Sequence, residues 1–279
     1  MEGRPTIRHR RLCTQLHRMR TDAGIEIEQV MAEMGWSLTT TQRKETARDA
    51  LSTSEVHALC MLYGVPAEQR VWLVDLAGRL DDPGWWTPYS DVVSDGFRDY
   101  LELESEAVEV RNFEIDLIPG LLQTESYIRA LVESWNPAPP AAITGRRVAL
   151  RLARQQRLLT GELRLWAILD EAVLRPRIVT GPQWISQLAA LREFAGHPNI
   201  TLQVLPFSAG PHTAMGSPFA WLRLPAPDPG TVLFDNVAGS VTVEDTEPMR
   251  RFHEAFHRLT TTALSANDSR AFLADLQPH

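Results

Sequence analysis

The glycines of the first 80 residues constrain this chain more than any other feature. Gly24, Gly35 and Gly64 each fall at the end of an apolar stripe with a helical repeat, so each cuts a helix off after a few turns. Leu12, Leu16, Met19 and Ala23 recur at helical spacing and put one apolar face on a first helix from Arg8 to Ala23. Val30, Met31 and Met34 mark a second short helix, and Trp36 behind Gly35 is positioned to fill the space between elements. Ser37 caps a third, TTTQRKE over residues 39–45, which is almost wholly polar, as a helix is when one face meets a groove instead of a core. Ser52 and Glu55 form a capping box for a fourth helix, whose buried side is Val56, Leu59, Cys60 and Tyr63. Pro66 restarts the chain after Gly64, and Val71, Val74 and Leu76 carry a fifth helix up to the breaker DDPG at 81–84.

Charge is divided along the chain. The net charge of -7 resolves into +3 over residues 1–48 and -10 over the remainder. A basic head on an acidic body faces polyphosphate with one end only, although a solvated helix face gives the same composition. No apolar run approaches the ~18 residues of a membrane span. The opening MEGRPTIRHRRL lacks the apolar segment of a signal peptide, so a cytoplasmic location with no membrane partner is expected. Cys13 and Cys60, neither in a CxxC pair, read as buried reduced thiols.

The five short helices, with the spacing GIEIEQVMAEMGWS from Gly24 to Ser37, resemble the lambda-repressor-like, or XRE-family, helix-turn-helix domain over residues 8–80. The resemblance implies double-stranded DNA as partner and a homodimer. Thr39, Thr40 and Gln42 would approach base edges in the major groove, while Arg43, Lys44 and Arg48 would hold phosphates. Four positions depart from the family's pattern. Ile27 stands where a phosphate-gripping glutamine is common, Thr41 and Lys44 where aliphatic side chains turn inward, and Ala47 where a glycine usually relaxes the helix end.

Residues 81–95 read as a hinge, because DPGWWTPY at 82–89 combines two prolines, a glycine and three aromatics. Residues 96–279 read as an effector or partner-binding domain. It opens with a Glu-rich helix bearing Tyr100, Leu103, Ala107 and Val110 on one side. Pro119, Gly120, Leu121, Leu122, Gln123 and Thr124 follow, with Tyr127 behind them. This PGLLQT string is similar to the signature of actinobacterial antitoxin-like XRE regulators, which implies a transcription regulator often encoded beside a small partner protein. Read from the residues alone, it is equally a fixed turn whose glutamine ties down loop amides.

After the Pro-rich break at 136–140, a helix from Arg146 to Thr160 carries Arg147, Arg151 and Arg154 on one face, suited to phosphate or to the Glu-rich helix. Strands are expected at 163–169, 201–207, 219–224, 231–235 and 240–244. Their short turns, notably Asn236 to Gly239, imply mainly antiparallel pairing. A helix from Pro182 to Gly196 covers the sheet. The expected class is therefore mainly α with an α+β C-terminal domain, a five-helix lambda-repressor-like head followed by a mostly antiparallel sheet packed with helices.

Two motifs remain. The loop 208–217, with Gly210, His212, Met215 and Gly216, can close over a small-molecule ligand or partner, or simply turn between strands. His253, Glu254 and His257 spell HExxH, the spacing zinc peptidases use, but Met249, Phe252, Phe256 and Leu259 already make that helix's buried stripe, the downstream TTTAL at 260–264 lacks a third ligand, and Asp268 and Asp275 are only generic candidates. No phosphate loop, nucleophile elbow, kinase signature or EF-hand occurs, and the sequence supplies no catalytic set, cofactor site or metal site. The sequence therefore reads as a DNA-binding transcription regulator with a sensing body. The alternative is a diverged scaffold or enzyme that kept the helical head.

Overall fold

In a computed structural model, residues 5–135, 140–175, 178–179, 181–236 and 239–276 are described. The chain divides into two compact units, Met1–Trp85 and Trp86–His279.

The first unit is all helical: α1 (Ile7–Asp22), α2 (Ile27–Met34), α3 (Leu38–Glu45), α4 (Thr53–Leu62) and α5 (Ala67–Gly78). None exceeds 16 residues, and isolated helices shorter than about 12–15 residues are marginal in water, so the shared core holds them. That core gathers Leu12, Leu16, Val30, Val56, Leu59, Cys60, Leu73 and Leu76. Gly24, Gly35 and Gly64 all adopt left-handed φ near +67°, the geometry that stops a helix without a Cβ clash. Of the expected stripes, Met31, Ala23 and Val71 fall outside the core. Ala23 is the exposed C-cap of α1, and Val71 is 68% exposed because α5 turns Leu73, Leu76 and Ala77 inward instead. Burial pushes the Cys13 thiol up to about 12 and the Cys60 thiol up to about 11, so both stay protonated, and neither is in a disulfide.

The second unit combines α6 (Asp95–Glu106), β1 (Glu109–Glu114), α7 (Glu125–Trp135), α8 (Ala141–Leu159), β2 (Arg164–Asp170), α9 (Gly181–Phe194), β3 (Ile200–Leu205), β4 (Phe219–Arg223), β5 (Thr231–Asn236), β6 (Gly239–Val243), α10 (Thr246–Thr262) and α11 (Ala266–Asp275). Among the described residues, its six strands form one sheet in the order β3-β2-β1-β4-β5-β6. The sheet is mixed. β1, β2 and β3 pair in parallel, linked by helical crossovers, whereas β4, β5 and β6 add on antiparallel. The central residues of the expected turn between Asn236 and Gly239 lie outside the described residues, as does most of the Pro-rich break at 136–140. The Glu-rich helix ends at Glu106, and Val110 belongs to β1 rather than to that helix. One sheet face packs Phe113, Phe219, Trp221 and Val232 against Met249, Phe256 and Leu259 of α10. Among the described residues, no helix is long and apolar enough to cross a membrane.

Candidate nucleic-acid interface

Helices α2 and α3 are joined by Gly35, Trp36 and Ser37, the short glycine-led turn of a helix-turn-helix. Gly35 caps α2 in the left-handed region, and the Ser37 hydroxyl accepts from the Thr40 amide to start α3. At the start of α2, where Ile27 stands, a capping box forms instead, with the Glu26 amide donating to Gln29 Oε1 at 2.9 Å.

The polar residues of α3 divide by face. Thr39 and Gln42 are exposed, Thr40 is half-buried with its hydroxyl 2.9 Å from that of Ser37, and Thr41 is fully buried. Thr41 fits a core position because its hydroxyl donates to the Ser37 carbonyl at 3.0 Å, leaving its methyl as the apolar face. Glu45 is held from α1, accepting from Arg20 Nε at 2.7 Å with the His17 ring 3.4 Å away, so α3 is pinned by charge as well as by packing.

The three cations expected at phosphates have different surroundings. Lys44 is turned toward its own domain: Nζ donates to the Ala50 carbonyl at 2.9 Å, pairs with Glu55 at 2.9 Å and lies 5.0 Å from the Trp36 ring centroid. Burial pushes the Glu55 carboxyl up, but the Ser52 amide and Lys44 outweigh it and hold Glu55 below the usual range. Arg43 pairs with Asp49 at 2.7 Å, and its guanidinium lowers the Asp49 carboxyl. Arg48 is exposed and makes no ion pair among the described residues.

Arg48 owes its position to Ala47. At φ +56°, Ala47 sits in the left-handed region, and among the described residues no other non-glycine does. That conformation lets the Arg48 amide reach back to the Arg43 carbonyl at 2.8 Å and the Ala47 amide to the Lys44 carbonyl at 3.3 Å, the paired closure that glycine usually supplies at a helix end.

The PGLLQT turn of the second unit faces inward. Residues Gly120–Leu122 form a single helical turn in which Leu121 and Leu122 are buried. Gln123 Nε2 donates to the Ile118 carbonyl at 2.6 Å, and the Tyr127 hydroxyl accepts from the Ile118 amide at 3.3 Å. Gln187 on α9 bridges the next two residues, donating to the Leu122 carbonyl at 2.8 Å and accepting from the Thr124 amide at 2.7 Å. Gln155 on α8 donates to the Gln123 carbonyl at 2.7 Å. A Cβ at Gly120 would stand 3.3 Å from Arg154 Nη1, tighter than ordinary contact, so any larger residue there needs that guanidinium to shift by a few tenths of an ångström.

Of the α8 arginines, Arg154 makes a two-pronged pair with Glu104 on α6 at 2.8 and 2.7 Å, and both residues are buried. The arginine face thus turns at least one guanidinium onto the Glu-rich helix. In the loop 208–217, Gly210 and Gly216 are left-handed, Ala214 is buried, and the His212 ring meets Phe113 edge-on at 5.4 Å, while Met215 is 65% exposed. In the HExxH string, His253 stacks on Trp221 at 3.7 Å, Glu254 pairs with Arg250, and His257 is exposed. Burial, then the nearby charges of Arg111 and Arg223, lower the His253 pKa. Among the described residues, no three His, Cys, Asp or Glu side chains are grouped to hold a metal.

A helix-turn-helix domain model matches residues 11–73, and the model of a domain of unknown function (DUF5753) matches residues 97–275. No curated protein and no solved structure matches the chain.

Proposed function

The chain belongs to the DUF5753 family, here with a helix-turn-helix domain before it, and from that premise we propose a cytoplasmic DNA-binding transcription regulator of the XRE kind whose C-terminal unit senses a ligand or a small partner protein. The observation that carries this reading is the division of α3, with Thr41 buried and Thr39 and Gln42 exposed on a helix that follows a tight turn. Side chains of this length and chemistry suit the donor and acceptor pattern of the major groove. A homodimer would place two α3 helices in successive grooves.

The expected phosphate set is rearranged in this proposal. Arg48 is the primary contact, Arg43 exchanges Asp49 for a phosphate, and Lys44 supports α3 from within through Glu55. Phe207 and Met215, both more than half exposed and beside the turn at Gly210, suit contact with a small protein partner.

The test is a mobility-shift and footprint assay on the DNA upstream of the protein's own gene. Binding is expected, with Gln42→Ala relaxing base discrimination by about 1–3 kcal/mol. Arg48→Ala is expected to reduce the slope of log affinity against log salt by about one. Absence of any protection at low salt would overturn the DNA-binding reading.

A further inference from the structure

We propose that Leu38 is a specificity-determining residue of α3, selecting the C5-methyl group of a thymine in the major groove. The inference deepens the DNA-binding reading and rests on it, naming a base that the polar residues of the helix do not.

Helix α3, LTTTQRKE, has one large apolar side chain, and the core does not use it. Leu38 is 46% exposed and stands outside the head's core, whereas Thr41, three residues on, is fully buried. The helix thus turns its leucine to solvent and makes its core contact with a threonine, the reverse of what burial favours. Folding gives no reason for a leucine at this position.

Its place on the helix does give one. Leu38 directly follows the cap Ser37, and the Cα–Cβ bonds of a helix tilt toward its N-terminus, so this side chain covers the opening turn. When a helix of this kind enters the major groove, its N-terminal residues are the ones that meet base edges. Gln42 lies one turn further along the same face and Thr39 lies beside it, and all three are exposed.

The nearby hydroxyls are already engaged. Ser37 accepts from the Thr40 amide and its hydroxyl is 2.9 Å from that of Thr40, while Thr46 donates to the Gln42 carbonyl at 2.7 Å. The side chains of Thr39 and Gln42 make no hydrogen bond among the described residues. What the opening of α3 presents is therefore one apolar group flanked by two polar ones.

Thymine alone among the four bases shows a methyl group in the major groove. A leucine neither donates nor accepts, so it covers that methyl well and leaves the amino group of cytosine or adenine, or the carbonyl of guanine, without a partner. Gln42 matches the N6 and N7 pattern of adenine. The preferred site then carries a thymine under Leu38 and an adenine under Gln42.

Selection of duplexes from a random-sequence pool by the full chain, followed by replacement of each thymine of the enriched site with deoxyuridine, tests the inference. Uracil differs from thymine only in lacking the methyl. At one thymine for each bound α3, the replacement is expected to weaken binding about fourfold, the value of one buried methyl group. Leu38→Ala is expected to bind the thymine and uracil duplexes equally at that position, with melting temperature and salt dependence unchanged, because Leu38 supports neither the core nor a phosphate contact. Leu38→Met, which keeps the apolar reach, is expected to retain the preference. An enriched site in which no thymine responds to uracil, or a Leu38→Ala protein that still prefers thymine at the same position, overturns the proposal and leaves DNA binding standing. Enrichment of no sequence at all sinks the DNA-binding reading and this inference with it.

Discussion

The two diagnostic segments of this protein are both short, turn-adjacent and rich in polar groups, yet they point in opposite directions. TTTQRKE in the head keeps Thr39 and Gln42 in solvent, and only Thr41 is fully buried. PGLLQT in the body buries Leu121, Leu122 and Gln123 and commits the backbone around them to Gln155 and Gln187. A polar residue at the surface is free to be read by a partner, whereas one inside must be satisfied by its own fold. Substitutions at Thr39 and Gln42 in the first segment should therefore alter binding and leave stability alone. In the second they should do the reverse.

The sharpest test of that contrast is Arg154. Its pair with Glu104 is buried on both sides, so Arg154→Met strands a carboxylate in the interior. A loss of about 3–5 kcal/mol is expected in denaturant unfolding of the C-terminal unit. Adding Glu104→Leu to Arg154→Met should recover most of that loss, since the penalty lies in the unpaired charge and not in the missing attraction. If the single variant unfolds like the parent, the body's polar interior is not the constraint argued here.

Gln187 probes the turn itself. Gln187→Leu keeps much of the volume but removes the donor to the Leu122 carbonyl and the acceptor for the Thr124 amide. The expected cost is about 1–3 kcal/mol, because the carbonyl of buried Leu122 and the amide of half-buried Thr124 both lose their partners. The matching change in the head, Gln42→Ala, should leave the melting temperature unchanged. Equal thermal shifts from the two would erase the distinction between the segments.

Much of the head was legible in the sequence because its signals are local. Glycine stops at Gly24, Gly35 and Gly64 and serine caps at Ser37 and Ser52 act within a few residues of where they stand, and the structure uses every one of them. Pairings across distance were not legible. The charge count gives residues 1–48 an excess of cations, but Arg20 is taken up by Glu45, Arg43 by Asp49 and Lys44 by Glu55, a residue of another helix. The parallel half of the sheet has its own signal in the sequence: the stretch between β1 and β2 holds two helix-period segments, α7 and α8, and strands joined through helices pair in parallel. Turn chemistry favours mainly antiparallel pairing, which holds for three of the five pairings among the described residues, β1–β4, β4–β5 and β5–β6.

The smallest expected effect lies at Ala47, where the head departs from its own rule of glycine at left-handed positions. Holding a residue with a Cβ at φ +56° costs about 1–2 kcal/mol, and Ala47→Gly would remove that strain. The methyl is buried, however, at 4% exposure, and its loss gives back about 0.8 kcal/mol. Glycine also adds about 0.5–1 kcal/mol of chain entropy to the unfolded state. The contributions nearly cancel, so Ala47→Gly should shift unfolding by no more than about 0.5 kcal/mol. Ala47→Val, which combines a branched Cβ at positive φ with a larger volume in the core, should destabilise by about 1–3 kcal/mol. A clear gain from glycine would mean that the strain exceeds the packing. A clear loss would mean that the Ala47 methyl does more to seat α3 against α1 and α4 than its size suggests, making this helix end, like the body's turn, a site where an inward contact outweighs local conformational preference.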